Sequence, residues 1–436
     1  MNSPALRYLG IACLIILTDF FLFPIGLTFL PGLNTKTIMA VVGVTILLFN
    51  TSDTKYDFLD KNFIFLSLWA IGVSLVCFVA VVVSGTNDYT YVSYIVSMWV
   101  WLFAAYFLVI SIGKVHDTLS IQLISNYLLA VCVIQGLVCL GLEHNTNFSN
   151  FIKSIHIGLV LVFETKGRLQ GIAAALDPAG IRFAASLVII GYVLINNNFK
   201  DKYWIYIYII SFFFITMVGS MIARTTVVGA GIAIIYWIFV AFFGNDMQKH
   251  TSTEVWRAIF ICIIFFLPMV IFYYHTNAHF KDNIRFGFEG FFSLLETGSW
   301  EVGSNKILKA MIVFPDNLKT WLIGDGYIVN PSTGSDPYYV GELYKGYYKD
   351  TDIGYLRFIF YAGLPLLISF IGFFIYATSC CMNKFPANKM LFFLLLVLNF
   401  GIWFKVSTDI FQFFAIFLAI PQSMLYNEKE DSVLEN

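Results

Sequence analysis

The sequence predicts an all-α polytopic membrane protein of about twelve transmembrane helices, and three observations carry that prediction. Hydrophobic residues make up 59% of the chain and charged residues only 12%. A soluble domain carries about 25% charged residues, so this chain lacks the polar atoms to cover a water-facing surface. Mean hydropathy is +0.78, gathered into runs of the length that a bilayer demands, about 20 mostly apolar residues. The 46 phenylalanines suit helices packed against lipid.

The spans fall in order near 8–30, 37–50, 63–84, 91–112, 119–142, 179–196, 203–219, 225–243, 257–275, 354–378, 389–404 and 410–426. The first is too long for a signal peptide, and the FLPGLN that follows has no small-residue cleavage site, so it is expected to stay as a helix. The second is the shortest of the early runs. Two long segments interrupt the series, 143–178 and 276–353. The chain therefore divides into spans one to nine with the smaller loop (1–275), one large loop (276–353), and spans ten to twelve with a tail (354–436).

Orientation follows from Lys and Arg in the short loops. With the N-terminus inside, the inner loops hold Arg7, Lys55, Lys61, Lys114, Lys200, Lys202, Lys249, Arg257, Lys384, Lys389 and Lys429. The short outer loops and outer helix ends hold Lys36, Arg182, Arg224, Arg357 and Lys405. Both termini are thus expected in the cytoplasm and both long segments outside. A structureless loop as long as 276–353 is usually functional. The net charge of −1 provides no basic field for nucleic acid. The seven cysteines lie in apolar runs or at their edges, which suggests neither a disulfide framework nor a zinc site.

Arginine is the most informative residue type. Arg168, Arg182, Arg224, Arg285 and Arg357 sit on the outer side or in outer helix ends. A guanidinium within a span costs about 3 kcal/mol unless it is paired. Two readings stand side by side. One is snorkelling, or pairing with Glu164, Asp177 or Glu289. The other is an anion site at the outer leaflet, because arginine presents a rigid fork of donors matched to phosphate oxygens. A lipid-linked pyrophosphate is an outer-leaflet ligand of that shape.

The large loop adds two signals. WLIGDGYIVNPSTGSDPYY (321–339) is turn-forming. Its Tyr327, Tyr338 and Tyr339, with Tyr344, Tyr347 and Tyr348 beyond, read either as sugar-stacking platforms or as an interfacial aromatic belt. KDTDIGYLRFIFYAGLP (349–365) leads into the tenth span. It places Asp352 and Tyr355 on one helix face, with Arg357 a turn away. Asp352 reads either as a functional carboxylate or as a helix-start charge favoured by the dipole. His279 near Arg285 is the one catalytic histidine candidate. The first outer loop, PGLNTKT (31–37), holds no carboxylate, and no residue cluster has metal-ligand spacing.

Three stretches together resemble the Wzy/WaaL superfamily of bacterial polysaccharide polymerases and O-antigen ligases. GSMIARTTVVG (219–229) is similar to the family's Ser-x-x-Arg-Thr-like turn opening a helix. Arg285-Phe286 through GSNKILKAMIVFPDNLKTWLIGDGY (303–327) resembles its large-loop pattern ending in Gly-x-Gly. DIGYLRFIFYAGLP (352–365) resembles its approach to the helix after the loop. Lys306 stands where the family often has Arg. Asp352 stands where the ligases usually carry His, which favours the polymerase branch.

The resemblance implies a GT-C-like helical fold whose periplasmic loop contains short helices, in the bacterial inner membrane. It implies a metal-independent glycosyltransferase with no cofactor, joining undecaprenyl-pyrophosphate-linked oligosaccharide repeat units into O-antigen, capsular or exopolysaccharide. Membrane lipid, a chain-length regulator and a flippase of the same pathway are the implied partners. Arg224, Arg285 and Asp352 are the implied catalytic residues, and Arg168, Arg182, Lys306, Tyr355 and Arg357 the implied substrate ligands. An O-antigen ligase passing glycan to a lipid A core or protein is the nearest alternative. A flippase or transporter for lipid-linked sugars is the second, and it would place polar groups at the midplane, where Asp19 is the main charge.

Overall fold

The computed structural model describes residues 4–27, 32–49, 58–155, 168–197, 199, 201–331 and 346–425. Among these residues the regular elements are all helices. The chain opens with α1 (Pro4–Leu22) and α2 (Thr35–Phe49), followed by α3 (Lys61–Ser84), α4 (Tyr94–His116) and α5 (Ile121–His144). A short α6 (Thr146–Ile155) precedes α7 (Leu176–Asn196), α8 (Tyr203–Ile222), α9 (Thr225–Phe243) and α10 (Asp246–Thr276). Four short helices follow, α11 (Ala278–Gly287), α12 (Glu289–Thr297), α13 (Gly303–Ala310) and α14 (Leu318–Leu322). The last are α15 (Gly354–Lys384), α16 (Lys389–Ile402) and α17 (Phe411–Ala419).

Nine of these described helices (α1, α3, α4, α5, α7, α8, α9, α10 and α15) are long and apolar enough to cross a membrane. The protein is an all-α polytopic membrane protein. Each expected span has a helix, but α2, α16 and α17 are shorter than a full crossing, with 15, 14 and 9 residues.

Where boundaries differ from the sequence reading, the causes are local. The first helix stops at Leu22 rather than near 30 because Pro24 has no N–H for the Phe20 carbonyl. That carbonyl accepts instead from the Thr35 hydroxyl at 2.9 Å, and the same Thr35 Oγ1 accepts from Ile25 N at 3.0 Å. One threonine thereby closes the α1–α2 connection. Helix α10 begins eleven residues earlier than expected (257 − 246), because Asn245 and Gln248 form a reciprocal capping box. The Gly219–Ile222 stretch, read from sequence as a turn, completes α8; Met221 and Ile222 are buried, and packing carries the helix through them. The turn itself is Ala223–Arg224.

Two compact units divide the chain. The first comprises Met1–Thr54, Phe103–Phe292 and Ala419–Asn436, and the second Lys55–Leu102 and Ser293–Leu418. In the first unit, α7 is buried along almost its whole length and pairs closely with α9. Gly229 permits that approach, since a side chain there would overlap the Ala184 backbone. Such small-residue contacts are how membrane helices pack without a hydrophobic driving force between them. Trp237 Nε1 locks the seam by donating to the Gly191 carbonyl at 2.8 Å.

In the second unit, α3 packs against α15. Phe358, Phe370, Phe374 and Trp403 form its aromatic core, with ring centroids 4.8–6.3 Å apart. Helix α15 is broken at Ala362 and at Gly363, whose φ is +72°. The helical bonds lost there are replaced by a turn from the preceding loop. Asp325 N donates to the Phe360 carbonyl at 2.6 Å and Gly326 N to the Tyr361 carbonyl at 3.0 Å.

Candidate functional site

The first unit gathers most of the sequence-predicted arginines around helix α11. Arg224, at the α8–α9 turn, lies over the Phe286 ring at 4.3 Å, and Arg168 lies over the same ring at 5.0 Å. Arg224 Nε also donates to the Phe286 carbonyl at 2.9 Å, and its Nη2 meets Glu289 Oε2 at 2.6 Å. Burial pushes the Arg224 guanidinium below its ordinary value, Glu289 opposes that, and the positive charge of Arg168 adds to it. Two cations are therefore held against one aromatic ring. The Glu289 pair is partly exposed and contributes at most about 1 kcal/mol.

Arg285 is the neighbour of Phe286 on α11 but turns to other partners. Its guanidinium lies over Phe292 at 5.0 Å and donates to the Tyr274 hydroxyl at 3.3 Å. Arg182 packs on a different ring, Phe23, at 5.7 Å. The segment 168–175 joins the cluster to the helices: Leu169 N donates to the Met221 carbonyl at 3.2 Å. Farther along that segment the Ile172 carbonyl accepts from Gln135 Nε2 at 3.1 Å, and Gln135 also donates to Asp19 at 2.8 Å. Asp19, the charge that the sequence marks within the first span, is thus tied to α5.

The second unit holds the other predicted residues. Asp352 pairs with Arg357 at 3.6 Å just ahead of α15, and the buried Arg357 lies over the Tyr347 ring at 3.7 Å. The Tyr355 hydroxyl donates to the Phe400 carbonyl at 2.9 Å and its ring packs on Trp403 and Phe404, so its polar tip is engaged in holding α15 to α16. Lys306 forms an exposed pair with Glu301 at 2.6 Å. That lysine partly draws the Glu301 carboxyl below its ordinary value by hydrogen bonding.

The tyrosines of the large loop divide by burial. Tyr327 and Tyr348 are buried with their rings 5.4 Å apart, as core residues and not as stacking platforms. Tyr347 is 40% exposed, with Arg357 on its face. Tyr338, Tyr339, Tyr344, Glu164 and the side chain of His279 lie outside the described residues.

The feature that sequence reasoning left without a role is the Gly324–Gly326 turn at the break in α15. Asp325 is its hub. Its Oδ1 accepts from Thr320 Oγ1 at 2.8 Å and Lys319 Nζ at 3.2 Å, and its Oδ2 accepts from the Tyr348 hydroxyl at 3.4 Å. Gly324 and Gly326 have φ of +84° and +76°. A side chain at Gly324 would overlap the Tyr361 carbonyl, and one at Gly363 would meet the Leu322 carbonyl carbon at 2.6 Å. The turn thus clamps the half-helix Gly354–Tyr361, which follows Asp352 and carries Arg357. Its sequence signal was the pair of glycines flanking Asp325.

Among the described residues, no group of three or more His, Cys, Asp or Glu side chains could hold a metal ion. No known protein family, characterised protein or solved structure matches this chain.

Proposed function

We propose that this protein is a polymerase that joins undecaprenyl-pyrophosphate-linked oligosaccharide repeat units at the periplasmic face of the bacterial inner membrane, without a divalent metal. The observation that carries this reading is the pairing of the Arg168 and Arg224 guanidiniums on the Phe286 ring. Glu289 already pairs with Arg224, and arginine's rigid fork of donors beside it matches phosphate oxygens, so a pyrophosphate is the anion proposed for this cluster. The orientation follows from the charge bias: both termini in the cytoplasm and the 276–353 loop in the periplasm.

The reaction balances without an added cofactor. A sugar hydroxyl oxygen of one unit bonds to the anomeric carbon of the chain held on the lipid. The bond from that carbon to the pyrophosphate oxygen breaks, and the lipid pyrophosphate leaves with the electron pair. The hydroxyl proton passes to a carboxylate, the role that the sequence resemblance gives to Asp352. Negative charge grows on the leaving pyrophosphate in the transition state. Arginines fixed in advance stabilise it without reorganising, and a single such donor is typically worth about 10²–10³-fold in rate. Arg357 fixes the orientation of Asp352 through their ion pair.

The test is direct. Purified protein in vesicles is given lipid-pyrophosphate oligosaccharide, and products are sized in excess chelator and in added magnesium. Lengthened glycan in both is expected. Turnover abolished by chelator and restored by magnesium overturns the arginine mechanism, and transfer to a lipid A core acceptor instead identifies a ligase.

A further inference from the structure

The second unit contains a cleft of about 570 Å³ between α13, the chain after it and the first turn of α15. Leu308, Ile312, Leu356 and Phe404 supply apolar wall, while Asn305 and Lys309 on α13 supply its polar side. Around it, Ile312, Phe314 and Phe404 are 52%, 62% and 67% exposed. The three together form an exposed apolar patch beside the cleft that suits an apolar neighbour. Phe404 lies two residues beyond the end of α16 at Ile402, so the cleft opens beside the end of an apolar helix.

Helix α13 has the matching character. Lys306 and Lys309 are exposed, while Leu308 packs inward against the core around Tyr327 and Tyr348. Lys306 is taken up by Glu301, so Lys309 is the cation that lines the cleft, and lysines beside an anionic membrane surface attract its headgroups. An apolar slot with a cation beside it selects an amphiphile with a negative head. The volume is within the ordinary range for a single small ligand, enough for one acyl chain.

We infer that this cleft is a binding site for an anionic phospholipid, with one acyl chain between α13 and α15 and the phosphate at Lys309. The lipid then lies against Ile353 and Leu356, next to Asp352. The inference is independent of the polymerase reading.

The test uses the full-length protein with the photoreactive p-benzoylphenylalanine in place of Ile312, reconstituted in vesicles of phosphatidylcholine with a minor share of phosphatidylglycerol and undecaprenyl phosphate. After irradiation, adducts are identified by intact mass. Phosphatidylglycerol adducts enriched severalfold over its share of the bilayer are expected, and Lys309→Glu should return them to that share. The same photoprobe in place of Ile264, an exposed residue of α10, should report bulk proportions in both proteins. Lys309 is exposed, so its substitution spares folding. Adducts at bulk proportion, adducts of undecaprenyl phosphate, no lipid adduct, or enrichment unchanged by Lys309→Glu would each overturn the site.

Discussion

At Arg224 a single side chain serves a carbonyl, a carboxylate and an aromatic face at once. Lysine keeps the charge but has neither the fork nor the flat stacking surface. Arg224→Lys is therefore expected to cut polymer on cells more than tenfold, a loss above about 1.4 kcal/mol of transition-state stabilisation, with the protein level in membranes unchanged. Polymer of normal length would reduce Arg224 to a structural brace for α11. Asp352→Asn keeps the shape and one acceptor for Arg357 but removes the base, and about 10²–10⁴-fold should be lost. If protein level falls in step with polymer, the carboxylate exists to neutralise the buried Arg357 and not to take a proton. The arginines were legible in the sequence because charge at outer helix ends stands out against apolar runs. Their partners were less so: Glu289 was one of three carboxylates named, and Phe286 and Tyr274 meet the arginines only through tertiary packing.

Among the elements, α15 departs most from what its sequence announces. Residues 354–378 read as one apolar span, although Pro365 inside it is a signal for a kink or break. The break depends on a turn nearly forty residues earlier, which no local pattern connects to it. Gly324→Ala should strain a backbone at φ +84° and drive a methyl group into the Tyr361 carbonyl. Left-handed backbone at a non-glycine residue costs roughly 1–3 kcal/mol, and the overlap adds to it. The expected result is a lower melting temperature in detergent and lost polymer. Gly298→Ala is the control: its φ is +71° but nothing lies within 4 Å of an added methyl, so it bears the strain without the collision. Equal melting temperatures for the two variants would leave the clamp without energetic weight. The caps went unread: Asp60, Ser120 and Asn245 each accept from the backbone N–H three residues on, and overlooking the one at Asn245 put the expected start of α10 too late.

For the whole molecule, composition and hydropathy identified the all-α membrane class and put an expected span over each apolar helix among the described residues, because a crossing helix needs apolar side chains along its length. They did not reveal the interleaved units, in which segments distant in sequence share a core. The charge bias makes a further prediction at this scale. In a protein lacking its native cysteines, Glu301→Cys should react with an impermeant thiol reagent added to intact cells, and Lys249→Cys only after lysis. The reverse pattern would invert the topology and with it the proposed periplasmic reaction. The broken helix has a consequence of another kind. At 1.5 Å per residue, an unbroken α15 would run about 46 Å, far beyond a hydrocarbon layer of about 30 Å. The stretch after the break, from Leu364 to Lys384, spans roughly 32 Å, a close match to that layer. The interruption thus trims the helix to the thickness of its solvent, and its tilt need not absorb the excess. A bilayer of longer-chain lipids would exceed this half-helix and set up a mismatch at its ends.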